Sequence, residues 1–527
     1  MKVLISDPLA EEGIKILKKS KDILVDVKTD LTPDKLLNII GNYDALIVRS
    51  STKVSKKVIT AGINLKVIGR AGVSLDNIDT EEATKRGIVV MNTPLGNTIS
   101  TAEHTMALIL SLSRNIVPAN ISLQNNQWNC KAFKGVELDQ KILGIIGLGR
   151  IGSELAKKAL AFNMKIIAYD PYASKNYAQR YMVKLVNLKE LLSISDYISL
   201  HLPLTSDTKH IISTKEFKIM KKGVRIINCA RGGLINEQAL LKAINDKVVA
   251  GCALDVFENE PPFDNPLIKL NNCVAVPHLG ASTKEAQTKV AIAIAHQMVA
   301  ALLNNEFNNA VNIPQIDPTT YQYIKDYLPL VEKLGSMHAQ LCEGSLEEVK
   351  IDYQGRVALY NTTPLTSAIL KGIFGVIVSG PMVNYVNAPI IAQERGIKVT
   401  EIKNTKEKIF SNLISLSIRT SKEEHSISGS LFEKKEPWIV FIDNYRVDAL
   451  PKGYVLVITN HDKPGVIGKV GTILGKNNIN IGNLKLGRNI IGGVALSVWN
   501  IDINASKNVI KEILKLNEII DVKQVNL

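Results

Sequence analysis

A chain of 527 residues is too long for one hydrophobic core, and at roughly 150 residues per domain it should divide into three or four. Hydrophobic content of 46% and charged content of 22% are those of an ordinary globular protein. The net charge of +14 is dispersed, without a block of like charges or interleaved aromatics. It therefore argues against a nucleic-acid surface and leaves a local anion pocket as its functional use. Apolar runs such as "TMALILSL" (105–112) are shorter than a bilayer span. The start, "MKVLISDPLAEEG", lacks the layout of a leader because acidic residues interrupt it. Five scattered cysteines without CxxC spacing predict reduced thiols, a cytoplasmic compartment and no metal centre.

Residues 1–95 alternate strand and helix signals. "KVLIS", "ILVDVK", "ALIVRS" and "LKVIGRAG" read as strands, and "AEEGIKILKK" and "TPDKLLNII" as helices. This rhythm predicts a parallel sheet. A long helix over 98–115 follows and suits dimer packing. A second alternating block runs through "KILGII", "KIIAYDP", "DYISLHLP", "VRIINCARGG", "VAGCALDVF" and "CVAVPHLG". A further amphipathic helix, 284–306, returns the chain to the first block. The predicted class is α/β, with two Rossmann-like doubly wound domains, residues 1–97 with 285–313 and residues 98–284.

Gly147, Gly149 and Gly152 form GxGxxG directly after a strand and at the start of a helix. Gly147 permits the tight turn, Gly149 lets a pyrophosphate approach, and Gly152 lets the helix pack close to its strand. Asp170 ends the next strand, where a carboxylate suits the ribose of NAD rather than NADP. Three charged groups then lie at strand ends, on the ligand-binding side of such a sheet: Arg231, Glu260 and His278. Singly, each reads as a solvated loop residue. Jointly they match the oxidation of a 2-hydroxy acid. A histidine moves the hydroxyl proton, a carboxylate orients it, and an arginine grips the substrate carboxylate.

"GLGRIG", "CARGGLINEQAL", "ALDVFENEPP" and "PHLGAST" resemble, in order and spacing, the D-isomer-specific 2-hydroxyacid dehydrogenases. The resemblance implies Arg231 for substrate, Glu260 as the histidine's partner and His278 as general acid/base. It also implies NAD contacts at Arg150, Ile151, Asp170, Cys229, Arg231, Asp255 and His278 through Gly280 and Ala281, with Leu202 and Pro203 beside the adenine. In the first block, "VRSSTKVS" and "GRAGVSLDNID" are similar to the phosphoglycerate-oxidising branch of that family. The amides of Ala71, Gly72 and Val73 would take the substrate carboxylate; Arg49 and Ser50, with Lys53, would take a phosphate. Ser74 departs from that pattern, which usually has glycine there.

Beyond residue 313 the composition changes. Residues 314–450 predict an α+β intervening domain, including the Gly- and Asn-rich "GVIVSGPMVNYVNAPIIAQERGI", and 451–527 read β-α-β-β-α-β, a ferredoxin-like module. The two stretches resemble the allosteric substrate-binding and ACT domains of the long phosphoglycerate-oxidising enzymes. That resemblance implies oxidation of 3-phosphoglycerate to 3-phosphohydroxypyruvate in serine synthesis, a homo-oligomer and L-serine as effector. Asn460, His461, Asp462 and Asn480 have the chemistry to hold an amino acid. Two other readings compete: a glycerate, hydroxypyruvate or D-lactate dehydrogenase, and a non-catalytic NAD sensor or corepressor.

Overall fold

The computed structural model describes residues 1–304, 306–314, 317–378, 383–406, 409–432 and 436–527. Residues 379–382 of the Gly- and Asn-rich stretch thus lie outside the described residues.

The first sheet is wholly parallel, in the order β2-β1-β3-β4-β5. Its strands are β1 (Lys2–Ile5), β2 (Leu24–Val27), β3 (Ala45–Val48), β4 (Val67–Arg70) and β5 (Val89–Met91). β3 and β4 are buried along their length, as expected for strands covered on both faces. The covering helix Lys284–Asn304 inserts Val290, Ile294, Met298 and Leu302 into one core with Val3, Ile5 and Val67. β5 and the six-residue helices Lys56–Ala61 and Thr80–Lys85 are additions to the expected elements. Segments of three to six residues are too short to show a period.

The second sheet is also parallel: β6 (Ile142–Ile146), β7 (Lys165–Tyr169), β8 (Lys184–Leu185), β9 (Tyr197–Leu200), β10 (Val224–Asn228), β11 (Val249–Leu254) and β12 (Cys273–Ala275). Its order is β12-β11-β10-β9-β6-β7-β8. The chain winds outward in both directions from the β6/β9 boundary, which makes that boundary the switch point. The two-residue β8 was not foreseen. The long helix Thr98–Arg114 buries Met106, Ile109 and Leu112 against this sheet. It ends at Asn115, in the left-handed region at φ 52°, and a second helix, Ile116–Gln124, leaves at 63°.

The third sheet is mixed, order β14-β13-β15-β16-β17-β18. It comprises β13 (Leu346–Gly355), β14 (Lys398–Asn404), β15 (Asn412–Thr420), β16 (Glu424–Phe432), β17 (Glu436–Ile442) and β18 (Tyr445–Ala449). The fourth is antiparallel, order β20-β21-β19-β22, from β19 (Tyr454–His461), β20 (Ile481–Arg488), β21 (Val494–Ile501) and β22 (Ile519–Asn526). Helices Val466–Lys476 and Lys507–Leu514 complete the βαββαβ unit. The two C-terminal sheets share one core. Helix Tyr327–Leu341 places Leu330, Leu334 and Met337 among Val349 and Ile351 of β13, Val455 and Val457 of β19, and Val525 of β22. This unit touches the first sheet's domain through Asn384 Nδ2, which donates to Gly87 O at 2.7 Å.

Candidate active site

At the switch point, Gly147 N–H donates to Tyr169 O, and His201 N–H donates to Ile146 O. Gly147 has φ 97°, and a Cβ there would collide with His201 O. A Cβ on Gly152 would strike Gly147 O, so the helix Arg150–Leu160 can sit this close only with glycine. A Cβ on Gly149 would meet nothing within 4 Å. That opening faces the N-terminus of the 11-residue helix, whose first amides can receive a phosphate. Asp170 Oδ2 accepts Leu148 N–H at 2.9 Å, and Oδ1 accepts Tyr172 and Ala173 N–H at 2.8 and 3.1 Å. The carboxylate thus braces the glycine turn and retains lone pairs for a ribose. A dinucleotide fits this cradle. Leu202 leans over Gly147, while Pro203 O accepts the Thr208 hydroxyl. Arg150 reaches away to Pro94 O at 3.2 Å, and Ile151 follows it in the first turn. Cys229 is buried; burial pushes its thiol up to about 12, so it is a neutral wall.

The three catalytic candidates come from successive strand ends. His278 Nδ1 lies 3.0 Å from Glu260 Oε2. Phe257 N–H fixes the other oxygen, Oε1, at 3.2 Å. The bond to Glu260 raises the imidazole above its ordinary pKa, although burial opposes this. Burial would raise Glu260 in turn, but the bond to His278, its charge and the Phe257 amide hold the carboxyl below its usual range. With Nδ1 held, Nε2 is the ring nitrogen left for a reacting hydroxyl. His278 has φ 53°, and Asp255 secures the turn by accepting Leu279 N–H at 2.6 Å and Gly280 N–H at 2.9 Å. Ala281 follows, exposed.

On the opposite wall, Arg231 Nε pairs with Asp76 Oδ2 at 3.1 Å, and Nη1 donates to Ala230 O. Arg49 Nη1 donates to Pro8 O at 3.1 Å, and its backbone N–H to Asp7 Oδ2 at 2.6 Å. Ser50 and Lys53 are exposed beside it. The expected amide set needs correction: Ala71 N–H is used by Val48 O and Gly72 N–H by Arg70 O. Only Val73 N–H of the three takes no partner among the described residues. The sequence reading passed over Arg70. It is 9% exposed, its Nε donates to Arg49 O, and its Nη1 is buried without a hydrogen-bond partner among the described residues. Burial, with Arg231 and Arg49 nearby, lowers it to about 10 against the pull of Asp76 and Asp7. It ends β4, so the strand-end rule that picked out Arg231 would also have found it.

Three family models match this chain: the NAD-binding domain of the D-isomer specific 2-hydroxyacid dehydrogenases over residues 106–280, the D-3-phosphoglycerate dehydrogenase intervening domain over 323–443, and the ACT domain over 454–518. D-3-phosphoglycerate dehydrogenase of Archaeoglobus fulgidus is 43% identical over the full length of both chains. The chain belongs to the D-isomer-specific 2-hydroxyacid dehydrogenase family, in its long, D-3-phosphoglycerate dehydrogenase-like form. The Methanocaldococcus jannaschii D-3-phosphoglycerate dehydrogenase is 44% identical, again across both chains. Among solved structures, D-lactate dehydrogenase from Aquifex aeolicus, complexed with NAD and lactic acid, matches at 28% identity and a TM-score of 0.52, over 60% of this chain and 100% of its own. At the level of this family, the chain is an NAD-dependent oxidoreductase of 2-hydroxy acids.

The ACT residues are distributed as follows. Asn460 is buried on β19 and its Nδ2 donates to His461 O. His461 is exposed. Asp462 accepts Arg488 Nη1 at 2.9 Å and Gly492 N–H at 3.1 Å, which hold its carboxyl below the usual range. Asn480 instead donates to Asp502 Oδ2 at 2.8 Å. Arg488, which binds Asp462, was also missed, because it lies 26 residues away in sequence.

Proposed function

We propose that the protein oxidises D-3-phosphoglycerate to 3-phosphohydroxypyruvate with NAD, the first step of L-serine synthesis. The observation that carries this reading is a cluster of three arginines: Arg49 and Arg231 lie within electrostatic reach of Arg70, and Arg231 within reach of His278 of the Glu260–His278 pair. A monocarboxylic 2-hydroxy acid needs one arginine. Two more, one with an unpartnered buried nitrogen, suit a second and doubly charged anion. Arg231 grips the carboxylate with help from Val73 N–H. His278 Nε2 takes the hydroxyl proton, and Glu260 stabilises the imidazolium that results. Bound NAD would supply the hydride acceptor. The Asp170 carboxylate supports NAD over NADP, since a 2′-phosphate there would meet a like charge.

Initial rates with 3-phosphoglycerate and with unphosphorylated D-glycerate test the substrate. The phosphorylated acid should be preferred by orders of magnitude in kcat/KM, and equal rates would exclude it. His278→Ala separates enzyme from sensor: turnover should vanish while NAD binding persists.

L-serine is the effector we propose for the ACT module, held around Asn460, His461 and Asp462; calorimetry with Asp462→Ala, which should lose binding, tests this. A homo-oligomer is supported by helix Ile116–Gln124, which leaves Ile116, Ile121 and Leu123 exposed beside Trp128. All five cysteines are free thiols, in keeping with a cytoplasmic setting.

A further inference from the structure

The helix Thr98–Arg114 does more than join two domains. One face of it, carrying Ser100, Thr101 and His104, lies against the turn that follows His278. Ser100 Oγ and Thr101 Oγ1 both donate to Gly280 O, at 2.8 and 3.2 Å. One turn further along, His104 Nε2 lies 3.2 Å from Asp255 Oδ1, within ion-pair distance, although its N–H is not aligned as a hydrogen bond to any described residue. Residues four apart on a helix share a face, so one face meets both the carbonyl side and the carboxylate side of this turn.

Asp255 is the centre of the arrangement. It is 1% exposed and accepts the amides of Leu279 and Gly280. A carboxylate buried this deeply must be neutralised by donors or by a cation. Two amides supply part of that, and His104 is the ionisable side chain that faces it. The turn itself needs restraint, because His278 holds a left-handed backbone that a residue with a Cβ adopts rarely. We infer that His104 is a positioning residue for proton transfer: it fixes the Asp255 carboxylate that grips the Leu279 and Gly280 amides, and so holds His278 in its working orientation. This rests on the reading of His278 as the proton-transfer group.

The charged surroundings of His104 are few. Glu103, its neighbour on the helix, turns outward to Lys158 at 3.3 Å. Cys229, just beyond β10, is a neutral buried thiol beside Thr105. His278 and Glu260 lie beyond Asp255, whose charge helps to keep His278 protonated. Burial would raise the Asp255 carboxyl, but the His104 side chain and the two amides hold it below its ordinary range. Removing His104 therefore takes away one of the groups that stabilise the Asp255 carboxylate and loosens its grip on the turn.

The test uses the full chain with NAD and 3-phosphoglycerate. His104→Leu removes the polar group that faces Asp255. His104→Asn removes it with a polar side chain too short to reach, and serves should the leucine variant not fold. His104→Gln keeps a neutral donor at about the reach of Nε2. The expected result for Leu or Asn is a loss of about tenfold or more in kcat, with KM for the acid little changed, because His104 does not face the arginine cluster. His104→Gln should restore kcat. Wild-type kcat in the Leu or Asn variant would overturn the inference. So would equal losses of kcat in all three variants, or a KM for the acid that rises in step with the loss of kcat. His278→Ala, assayed alongside, separates the layers. Turnover retained in that variant removes the parent reading; turnover lost there but normal in the His104 variants removes only this inference.

Discussion

Arg231 and Asp76 meet across the cleft, Nε to Oδ2 at 3.1 Å, so the arginine that would hold the substrate carboxylate already holds a carboxylate of the protein. Ser74 donates its hydroxyl to the same Oδ2 and fixes the aspartate. The serine that departs from the usual glycine thus has a role in this chain. Asp76 is largely exposed, and such pairs are worth about 1 kcal/mol or less. A substrate must displace it. In Asp76→Asn the KM for the acid should fall by about two- to fivefold with kcat little changed, measured at saturating NAD. Ser74→Ala should move KM the same way by less. An increased KM in both variants would show instead that Asp76 holds Arg231 in its productive pose.

The Glu260–His278 pair predicts a pH dependence with a definite sign. Oxidation needs the neutral imidazole, so turnover should fall as pH drops through the His278 pKa, which the Glu260 bond raises above its ordinary 6.5. Glu260→Gln removes the charge and keeps the shape. The acid limb should then move to lower pH, while kcat falls about a hundredfold for loss of the orienting carboxylate. In the reverse direction, reduction of the 2-oxo acid needs the protonated ring, so its alkaline limb should move to lower pH as well. An acid limb that stays in place would assign that ionisation to another group.

Much of this arrangement was legible in the sequence, and the reasons differ from residue to residue. Gly147, Gly149 and Gly152 follow a strand and open a helix, so local context alone placed them. Arg231, Glu260 and His278 sit at ends of buried strands, where a parallel sheet dictates the side on which ligands bind. His104 was silent because its helix reads as a packing element, and its partner Asp255 is distant in sequence and close only through the sheet. The amides of Ala71 and Gly72 looked available because sequence does not reveal which carbonyls a turn will offer its own N–H groups. The shared core of the two C-terminal sheets was hidden likewise, since Leu330 and Val455 each fit an ordinary amphipathic pattern within their own module.

Asp170 does two things that a single substitution separates. In the proposed reading it would bind the ribose of NAD, and it braces the glycine turn through Leu148 N–H. Asp170→Ala should weaken NAD through both losses and weaken NADP only through the second. The NAD-to-NADP preference in kcat/KM should therefore shrink by about tenfold or more, one charged hydrogen bond being worth about 1.5–3 kcal/mol. Asp170→Asn keeps an acceptor for Leu148 and should retain the turn while relaxing the preference. If the preference survives in both variants, selection against NADP comes from another part of the cradle.

His338 gives a stability prediction remote from the chemistry. It is wholly buried in the shared C-terminal core, with Nε2 donating to His425 O at 2.8 Å and Nδ1 3.1 Å from the Cys342 thiol. Burial lowers it to about 4. A group depressed in the folded state contributes stability that is present above its unfolded pKa of about 6.5 and lost as pH falls. Between pH 7 and pH 5 the unfolded chain takes up a proton that the folded chain refuses. The C-terminal unit should lose about 2 kcal/mol from this one residue. Urea titrations followed by fluorescence can read it, because Trp438 and Trp499 belong to these two sheets. His338→Gln, which cannot titrate, should be less stable at pH 7 yet show an acid sensitivity smaller by that amount. The same acid sensitivity in wild type and variant would place the titrating group elsewhere; His425, whose pairing with Asp443 raises it, would have the opposite sign.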